Sequence, residues 1–161
     1  MLLFHVLLSL AGIASGLVVL FAMIVGRQLN GWTALFLATT VLTSVTGFLL
    51  PSMGFDPARR VGVISLVALA AAIVALYSFR LRGAWRWIYV NTAVFALYLN
   101  CFVGVVQAFQ KIPTLHALAP TGSDPAFMIA QGLVLGVFVV LGILALRRFH
   151  PGQTPLHAYR G

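Results

Sequence analysis

The sequence predicts an all-α integral membrane protein, a single domain built as a bundle of five transmembrane helices. Hydrophobic residues make up 61% of the 161 residues and charged residues only 7%, whereas soluble domains are about 25% charged. The apolar residues gather in five runs, each longer than the roughly 18 residues that a helix needs to cross a bilayer. Because turn-forming residues separate these runs, we expect five spans and exclude a water-soluble fold.

Each break between runs has the composition of a turn, with glycine or proline in every link. In the second and fourth links, Asp56-Pro57 and Asp124-Pro125 each supply a carboxylate that can cap the next helix and a proline suited to its first turn. Spans 1 to 5 are therefore predicted at Leu2–Val25, Trp32–Leu50, Pro57–Phe79, Trp85–Phe109 and Pro125–Leu146.

The basic side chains predict an N-terminus outside and a C-terminus in the cytoplasm, because cytoplasmic segments of membrane proteins carry the excess of Lys and Arg. Residues 1–149 then form the transmembrane domain, and residues 150–161 form a short basic cytoplasmic tail. The net charge is +8, but it is scattered between apolar runs and does not indicate a nucleic-acid partner. The inner basic residues are Arg27, Arg80, Arg82, Arg86, Arg147, Arg148 and Arg160, and the outer ones are Arg59, Arg60 and Lys111.

The sequence offers few groups for catalysis. No Asp, Glu, Lys or Arg lies in the middle of a span, and ion-coupled pumps and proton relays usually need such a group. No nucleophile elbow, P-loop, H-E-x-x-H motif or pair of carboxylates is present. The single cysteine, Cys101, excludes disulfides and cysteine metal clusters within the chain. We therefore predict no catalytic residues and no metal ligands.

Spans 2 and 4 carry uncharged polar side chains that we expect to face protein. Asn100 falls close to mid-membrane, where an unpartnered amide costs several kcal/mol. Along span 2, small and hydroxylated residues share one arc of roughly 160°. This arc is either a polar lining for a ligand or pore or, as we favour, ordinary packing in which each hydroxyl bonds the i−4 carbonyl. Its polar members are Thr33, Thr39, Thr40, Thr43, Ser44 and Thr46.

Span 4 is predicted to be the central helix. Asn91 and Tyr98 share one face, and Asn100 and Gln107 share roughly the opposite face. A helix that is polar on opposite sides is surrounded by neighbours or contacts a second chain.

Two glycine pairs predict close helix contacts. Gly12 and Gly16 in span 1, and Gly132 and Gly136 in span 5, have the small-xxx-small spacing that lets helices approach closely. Packing within the chain is the simpler interpretation, and homodimerisation is the alternative.

Several polar residues fall near the predicted outer end and form one candidate ligand site. The hypothesis is a pocket for a quinone or a b-type haem, since histidines ligate haem iron and amides bind a quinone oxygen. The alternative, which we favour, is that the two outer histidines are interfacial and wetted by headgroups and water. The candidate residues are His5, Gln107, Gln110, His116 and Gln131 together with Asn100, and His116 lies in a proline-flanked loop. His150 and His157 belong to the inner tail.

Three segments carry a resemblance to known proteins. The run from Gly31 to Thr40 (GWTALFLATT), the run from Leu97 to Asn100 (LYLN) and Trp85-Arg86-Trp87 are similar to segments of small bacterial membrane proteins of unassigned function. The resemblance implies a bacterial inner-membrane location, and it brings no activity and no site residues.

The sequence leaves three classes of function open. The preferred one is a non-catalytic membrane protein whose small and amide-bearing helix faces bind a partner subunit, a second copy of the chain or a lipid-like molecule. The second is a quinone- or haem b-binding redox protein. The third is a small-solute channel or carrier lined by Thr40, Thr43, Ser44 and Asn100, although five spans show no sign of the paired repeats common in carriers.

Overall fold

The computed structural model describes residues 2–49 and 57–151, and all regular structure in those ranges is helical. The predictions for Asp56, His157, Arg160 and most of the tail lie outside the described residues. The helices are α1 (Leu2–Ile24), α2 (Asn30–Leu49), α3 (Pro57–Ile73) continued by a π-helical segment (Val74–Ser78), α4 (Ala84–Lys111), α5 (Pro113–Leu118) and α6 (Pro125–Arg148).

Five of these helices are long and apolar enough to cross a membrane, which confirms that part of the prediction. They are α1, α2, α3 with its π-helical segment, α4 and α6. Their ends lie within one helical turn of the predicted ends because Gly, Pro and polar residues interrupt the apolar runs at those points.

Gly26 ends α1 in a Schellman motif. Its φ of 75° is the left-handed conformation that glycine adopts without steric cost. The Gly26 N–H donates to the Met23 carbonyl at 3.0 Å, and the Arg27 N–H donates to the Ala22 carbonyl at 2.8 Å. These bonds satisfy carbonyls that the end of a helix otherwise leaves free, so the chain can reverse before α2.

The link between α3 and α4 departs from regular helix in a way that the sequence did not predict. After the π-helical segment, Arg80 and Leu81 both have positive φ values, 50° and 59°. This conformation costs a non-glycine residue roughly 1–2 kcal/mol. Two features of the packing offset that cost. The Leu81 side chain is buried, and the Phe79 ring stacks on the Trp85 ring with centroids 3.7 Å apart.

Two polar residues near α5 and α6 differ from their predictions. Ile112 takes an extended conformation before Pro113, as residues before proline prefer, and His116 then lies in the short helix α5 rather than in a loop. Asp124 precedes α6 as predicted, but its carboxylate does not cap that helix. It accepts hydrogen bonds from the Thr121 hydroxyl at 2.7 Å and the Thr121 N–H at 2.9 Å. These bonds hold the pKa of the Asp124 carboxyl below its usual value.

Helix α4 is central, as the two polar sides of span 4 suggested, since it contacts α1, α2, α3 and α6. Asn91 lies beside a groove between α4 and α6 but hydrogen-bonds within its own helix. It is exposed, and its Nδ2 donates to the Trp87 carbonyl of its own helix at 2.9 Å. Helix α6 is peripheral and exposes a broad apolar surface, which includes Met128 and Leu133.

We name the two ends of the bundle after the residues that join helices there. At the His5 end, His5 Nδ1 lies 2.9 Å from Thr46 Oγ1 and joins α1 to α2. At the Arg86 end, Arg86 Nη1 donates to the carbonyls of Leu146 at 3.0 Å and Phe149 at 2.7 Å, which fixes the end of α6 to α4. The described basic residues predicted to be inner lie at the Arg86 end, and those predicted to be outer lie at the His5 end.

Candidate functional site

A cavity of about 590 Å³ lies between α1, α2, α3 and α4, in the half of the bundle nearest the His5 end. Its volume falls in the range of small-molecule binding pockets, roughly 300–1,000 Å³. Lys111 and Ile112 line it and are exposed, so the cavity opens at that end. Its polar lining residues are His5, Ser9, Thr40, Thr43, Ser44, Arg59, Ser65, Asn100, Gln107 and Lys111, and most of the remaining lining is apolar.

Asn100 lies at the deep end of the cavity and joins α4 to α1. The Ser9 hydroxyl donates to Asn100 Oδ1 at 2.9 Å, and Asn100 Nδ2 approaches the Ser9 carbonyl at 3.4 Å. Asn100 is buried, with 7% of its surface exposed. A neutral hydrogen bond contributes about 1 kcal/mol, but an orphaned buried amide costs more. The pairing with Ser9 explains how the amide is kept inside the bundle.

Gly12 allows α1 to approach this polar group closely. A Cβ atom at position 12 would lie 3.0 Å from Asn100 Nδ2 and 3.1 Å from Thr40 Oγ1. Both distances are shorter than ordinary van der Waals contact, so only glycine leaves the two polar atoms in place. The Gly12 and Gly16 pair therefore forms part of the contact between α1 and its neighbours.

The hydroxyl groups of α2 that lie between Thr39 and Thr46 divide into two groups. In the first group, each hydroxyl donates to the backbone carbonyl four residues earlier, at 2.7–3.0 Å, as is common for Ser and Thr inside helices. This group contains Thr39, Thr43, Ser44 and Thr46. Thr40 differs, since its Oγ1 is buried and has no hydrogen-bond partner among the described residues. Thr40, Thr43 and Ser44 all line the cavity.

The mouth of the cavity carries basic side chains, and among the described residues no carboxylate lines it. Lys111 and Gln107 from α4 and Arg59 from α3 line it, and Arg59 Nη2 lies 3.5 Å from the Phe48 carbonyl. His5 Nδ1 and the Thr46 hydroxyl also pair at this end, 2.9 Å apart. The exposed Lys111 ammonium favours an anionic or hydrogen-bond-accepting group at this point of the mouth.

The bundle is closely packed beyond the deep end of the cavity. A Cβ atom on Gly16 would lie 2.5 Å from Leu97 Cδ1 and 2.8 Å from Phe36 Cδ2, and both of those side chains are buried. The cavity consequently ends near the level of Gly12 and Thr40. Within the described residues, this packing closes the cavity toward the Arg86 end.

The predicted outer cluster is only partly brought together. His5, Gln107 and Asn100 line the cavity, whereas Gln110, His116 and Gln131 do not. Gln110 and His116 are exposed, and Gln131 Nε2 donates to the Phe102 carbonyl at 3.2 Å, between α6 and α4. His5 and His116 therefore do not form a pair of haem ligands in this cavity.

Gly132 and Gly136 do not pack within the chain, which corrects the simpler interpretation of that pair. A Cβ atom at either position would meet no atom within 4 Å. Both lie on the exposed side of α6, because that helix is peripheral and contacts α4 and α1 through its other side.

The sequence did not single out Ser9 or Ser65, which also line the cavity. Ser9 carried a usable signal, because it lies three residues before Gly12 and so shares its face. Ser65 carried none, since it is one polar residue in an otherwise alanine- and valine-rich span.

Protein-family models, curated proteins and solved structures were compared with the chain, and none matches. The similarity to small bacterial membrane proteins therefore stays an expectation. Among the described residues, no group of three or more His, Cys, Asp or Glu side chains is placed to hold a metal ion. What the described residues do form is a cavity with mostly apolar walls, a polar deep end and basic side chains at its mouth.

Proposed function

We propose that this is a non-catalytic, multi-pass membrane protein that binds one lipid-like molecule in the cavity between α1, α2, α3 and α4. The observation that carries the proposal is the cavity itself. Its walls are mostly apolar, and its polar side chains gather at the deep end and at the basic mouth. An amphipathic molecule with an apolar body and separate polar groups matches that distribution.

We further propose that the five long helices span a bacterial inner membrane with the N-terminus outside and the C-terminus in the cytoplasm. The basic residues support this orientation, since more of them lie at the Arg86 end than at the His5 end. Trp32 and Trp87 support it as well, because they are exposed at the Arg86 end, and indole rings favour the headgroup layer. The cavity would then open toward the outer leaflet.

A second candidate is association with another membrane-spanning chain through α6. The exposed pair Gly132 and Gly136 favours it, since small residues at this spacing let two helices approach closely in lipid. A partner subunit or a second copy of the chain would suit this surface. The channel hypothesis receives less support, because the cavity ends at closely packed side chains.

Co-purification tests the binding proposal directly. Gly104 lines the cavity, and a Cβ atom there would meet only Ile13 Cδ1, at an ordinary contact distance of 3.6 Å. Gly104→Leu should therefore fill the cavity without strain in the backbone. Gly132→Leu is the matched control, because it adds the same side chain to an open helix face.

The expected result is a small molecule, detected by mass spectrometry of the purified protein, that wild type and Gly132→Leu retain and Gly104→Leu loses. All three proteins should be folded and monodisperse in detergent. The proposal fails if Gly104→Leu retains the same molecules in the same amounts as wild type. Crosslinking of wild type and Gly132→Leu in intact membranes separately tests association through α6.

A further inference from the structure

We infer that the ligand carries a neutral carbonyl oxygen, and that the Thr40 hydroxyl and the Asn100 amide donate hydrogen bonds to it at the deep end of the cavity. The inference rests on the proposed function and adds the chemical class of the ligand and the two residues that select it.

The Thr40 hydroxyl is the first observation. Only 1% of the Thr40 surface is exposed, yet its Oγ1 has no hydrogen-bond partner among the described residues. The neighbouring hydroxyls of α2 all donate within their own helix. Folded proteins seldom leave a buried hydroxyl unpaired, because it loses its hydrogen bonds to water without replacement. Since Thr40 lines the cavity, the partner it lacks is a group that the cavity receives.

The Asn100 amide is the second observation, and it sets the polarity of that group. Asn100 Oδ1 accepts from the Ser9 hydroxyl, and Asn100 Nδ2 donates one N–H to the Ser9 carbonyl at 3.4 Å, so the second N–H of the amide is a donor that remains for a ligand. Asn100 Nδ2 and Thr40 Oγ1 lie 3.0 and 3.1 Å from the same point, the Cβ position of Gly12. Both side chains line the cavity on the same side of Gly12, and two neighbouring donors bind an acceptor better than a donor.

The depth of this position makes a charged acceptor unfavourable. At 1.5 Å per residue, Asn100 lies about 16 Å along α4 from Lys111, which is at the mouth. Among the residues that the structure describes, no cationic side chain lines the deep end, and an ionised carboxylate or phosphate there would lose its hydration without a counter-charge. A neutral carbonyl meets both requirements. Two kinds of membrane molecule supply one on an apolar body: the ring of a quinone and the ester of an acyl lipid.

The test measures binding of three probes to the purified full-length chain in detergent by isothermal titration calorimetry. Decylubiquinone presents ring carbonyls, monodecanoylglycerol presents an ester carbonyl, and decylbenzene presents a similar apolar body without a carbonyl. Each is titrated into wild type, Thr40→Val, Thr40→Ser and Thr39→Val. Thr40→Val removes the hydroxyl with little change in volume. Thr39→Val is the matched control, because the Thr39 hydroxyl donates to the Leu35 carbonyl and does not line the cavity.

Thr40→Val should weaken binding of one or both carbonyl probes roughly threefold to tenfold, which corresponds to the loss of one neutral hydrogen bond. Thr40→Ser and Thr39→Val should bind like wild type, and decylbenzene should not distinguish the variants. Whichever carbonyl probe shows the effect identifies the quinone or the ester as the source. Unliganded Thr40→Val should unfold at the same temperature as wild type or higher, because an unpaired buried hydroxyl is removed. A purely structural hydroxyl would instead lower that temperature.

The inference is overturned if the carbonyl probes bind wild type and Thr40→Val equally, if they bind no better than decylbenzene, or if they do not bind. None of these results decides the proposed function, which depends on whether Gly104→Leu loses the molecule retained from the membrane.

Discussion

Gly16→Ala is the substitution for which the structure predicts the clearest loss of stability. The new methyl group would lie 2.5 Å from Leu97 Cδ1 and 2.8 Å from Phe36 Cδ2. Both neighbours are fully buried, so neither can move aside without disturbing the core. Adding volume to a well-packed site costs typically about 1–3 kcal/mol, and contacts this short favour the upper part of that range.

The opposing effect is the gain in helix propensity, since alanine in a helix interior is favoured over glycine by about 1 kcal/mol. Gly136→Ala shares that gain but meets no atom within 4 Å, so it is the matched control. The free energies of unfolding of the two variants should differ by the overpacking cost alone, about 2–3 kcal/mol. For a chain of this size, the midpoint of thermal unfolding then differs by about 4–12 °C, with Gly16→Ala the lower.

The assay is thermal unfolding in detergent followed by circular dichroism, with both variants measured beside wild type. Equal midpoints for Gly16→Ala and Gly136→Ala would refute the reasoning, because they would mean that α1, α2 and α4 do not meet closely at Gly16.

Three further outcomes are expected. Arg86→Met should lower the free energy of unfolding by about 1.5–3 kcal/mol in a thermal or denaturant melt. The reason is that it removes the hydrogen bonds from a charged group to two carbonyls at the end of α6. An unchanged free energy of unfolding would count against that contact. Asn100→Leu should lower the free energy of unfolding by about 1–3 kcal/mol, because the Ser9 hydroxyl of α1 loses its acceptor. Asn91→Leu should change that free energy little, since Asn91 is exposed and bonds its own helix. Equal losses would contradict the assignment of Asn100 to the interior. Thr121→Val should raise the pKa of Asp124 toward its usual value of 3.8, measured by carboxyl NMR titration. Because the folded-state pKa is lowered, the stabilisation from this loop contact is present above the unfolded pKa and disappears as the pH falls through the folded pKa; an unchanged titration would contradict the contact.

The five long helices could be predicted because they depend on properties that lie within each segment. Length, apolar composition and the Gly and Pro residues between runs define where a chain can cross a bilayer. The left-handed Arg80 and Leu81 could not be predicted in this way, since neither residue type favours positive φ. Their conformation depends on contacts made by the folded chain, such as the stacking of Phe79 on Trp85.

The candidate site was less predictable, because it depends on how each helix is rotated against its neighbours. Thr39 and Thr40 are adjacent residues of one type, yet one hydroxyl bonds its own helix and the other is left facing the cavity. His116 and His5 were expected at the same depth, but only His5 lines the cavity. Depth along the membrane normal follows from position in the sequence, whereas the direction a side chain faces follows from tertiary packing.

The close packing at Gly16 has a kinetic consequence for any molecule held between α1 and α4. Since packed side chains close the cavity at Gly16, a bound molecule enters and leaves on the His5 side of that level. Residues that line this route, such as Gln107, therefore influence association and dissociation together, while residues at the inner wall influence mainly how long the molecule stays. A competitor therefore has no path to the occupant from the Arg86 end through the packing at Gly16.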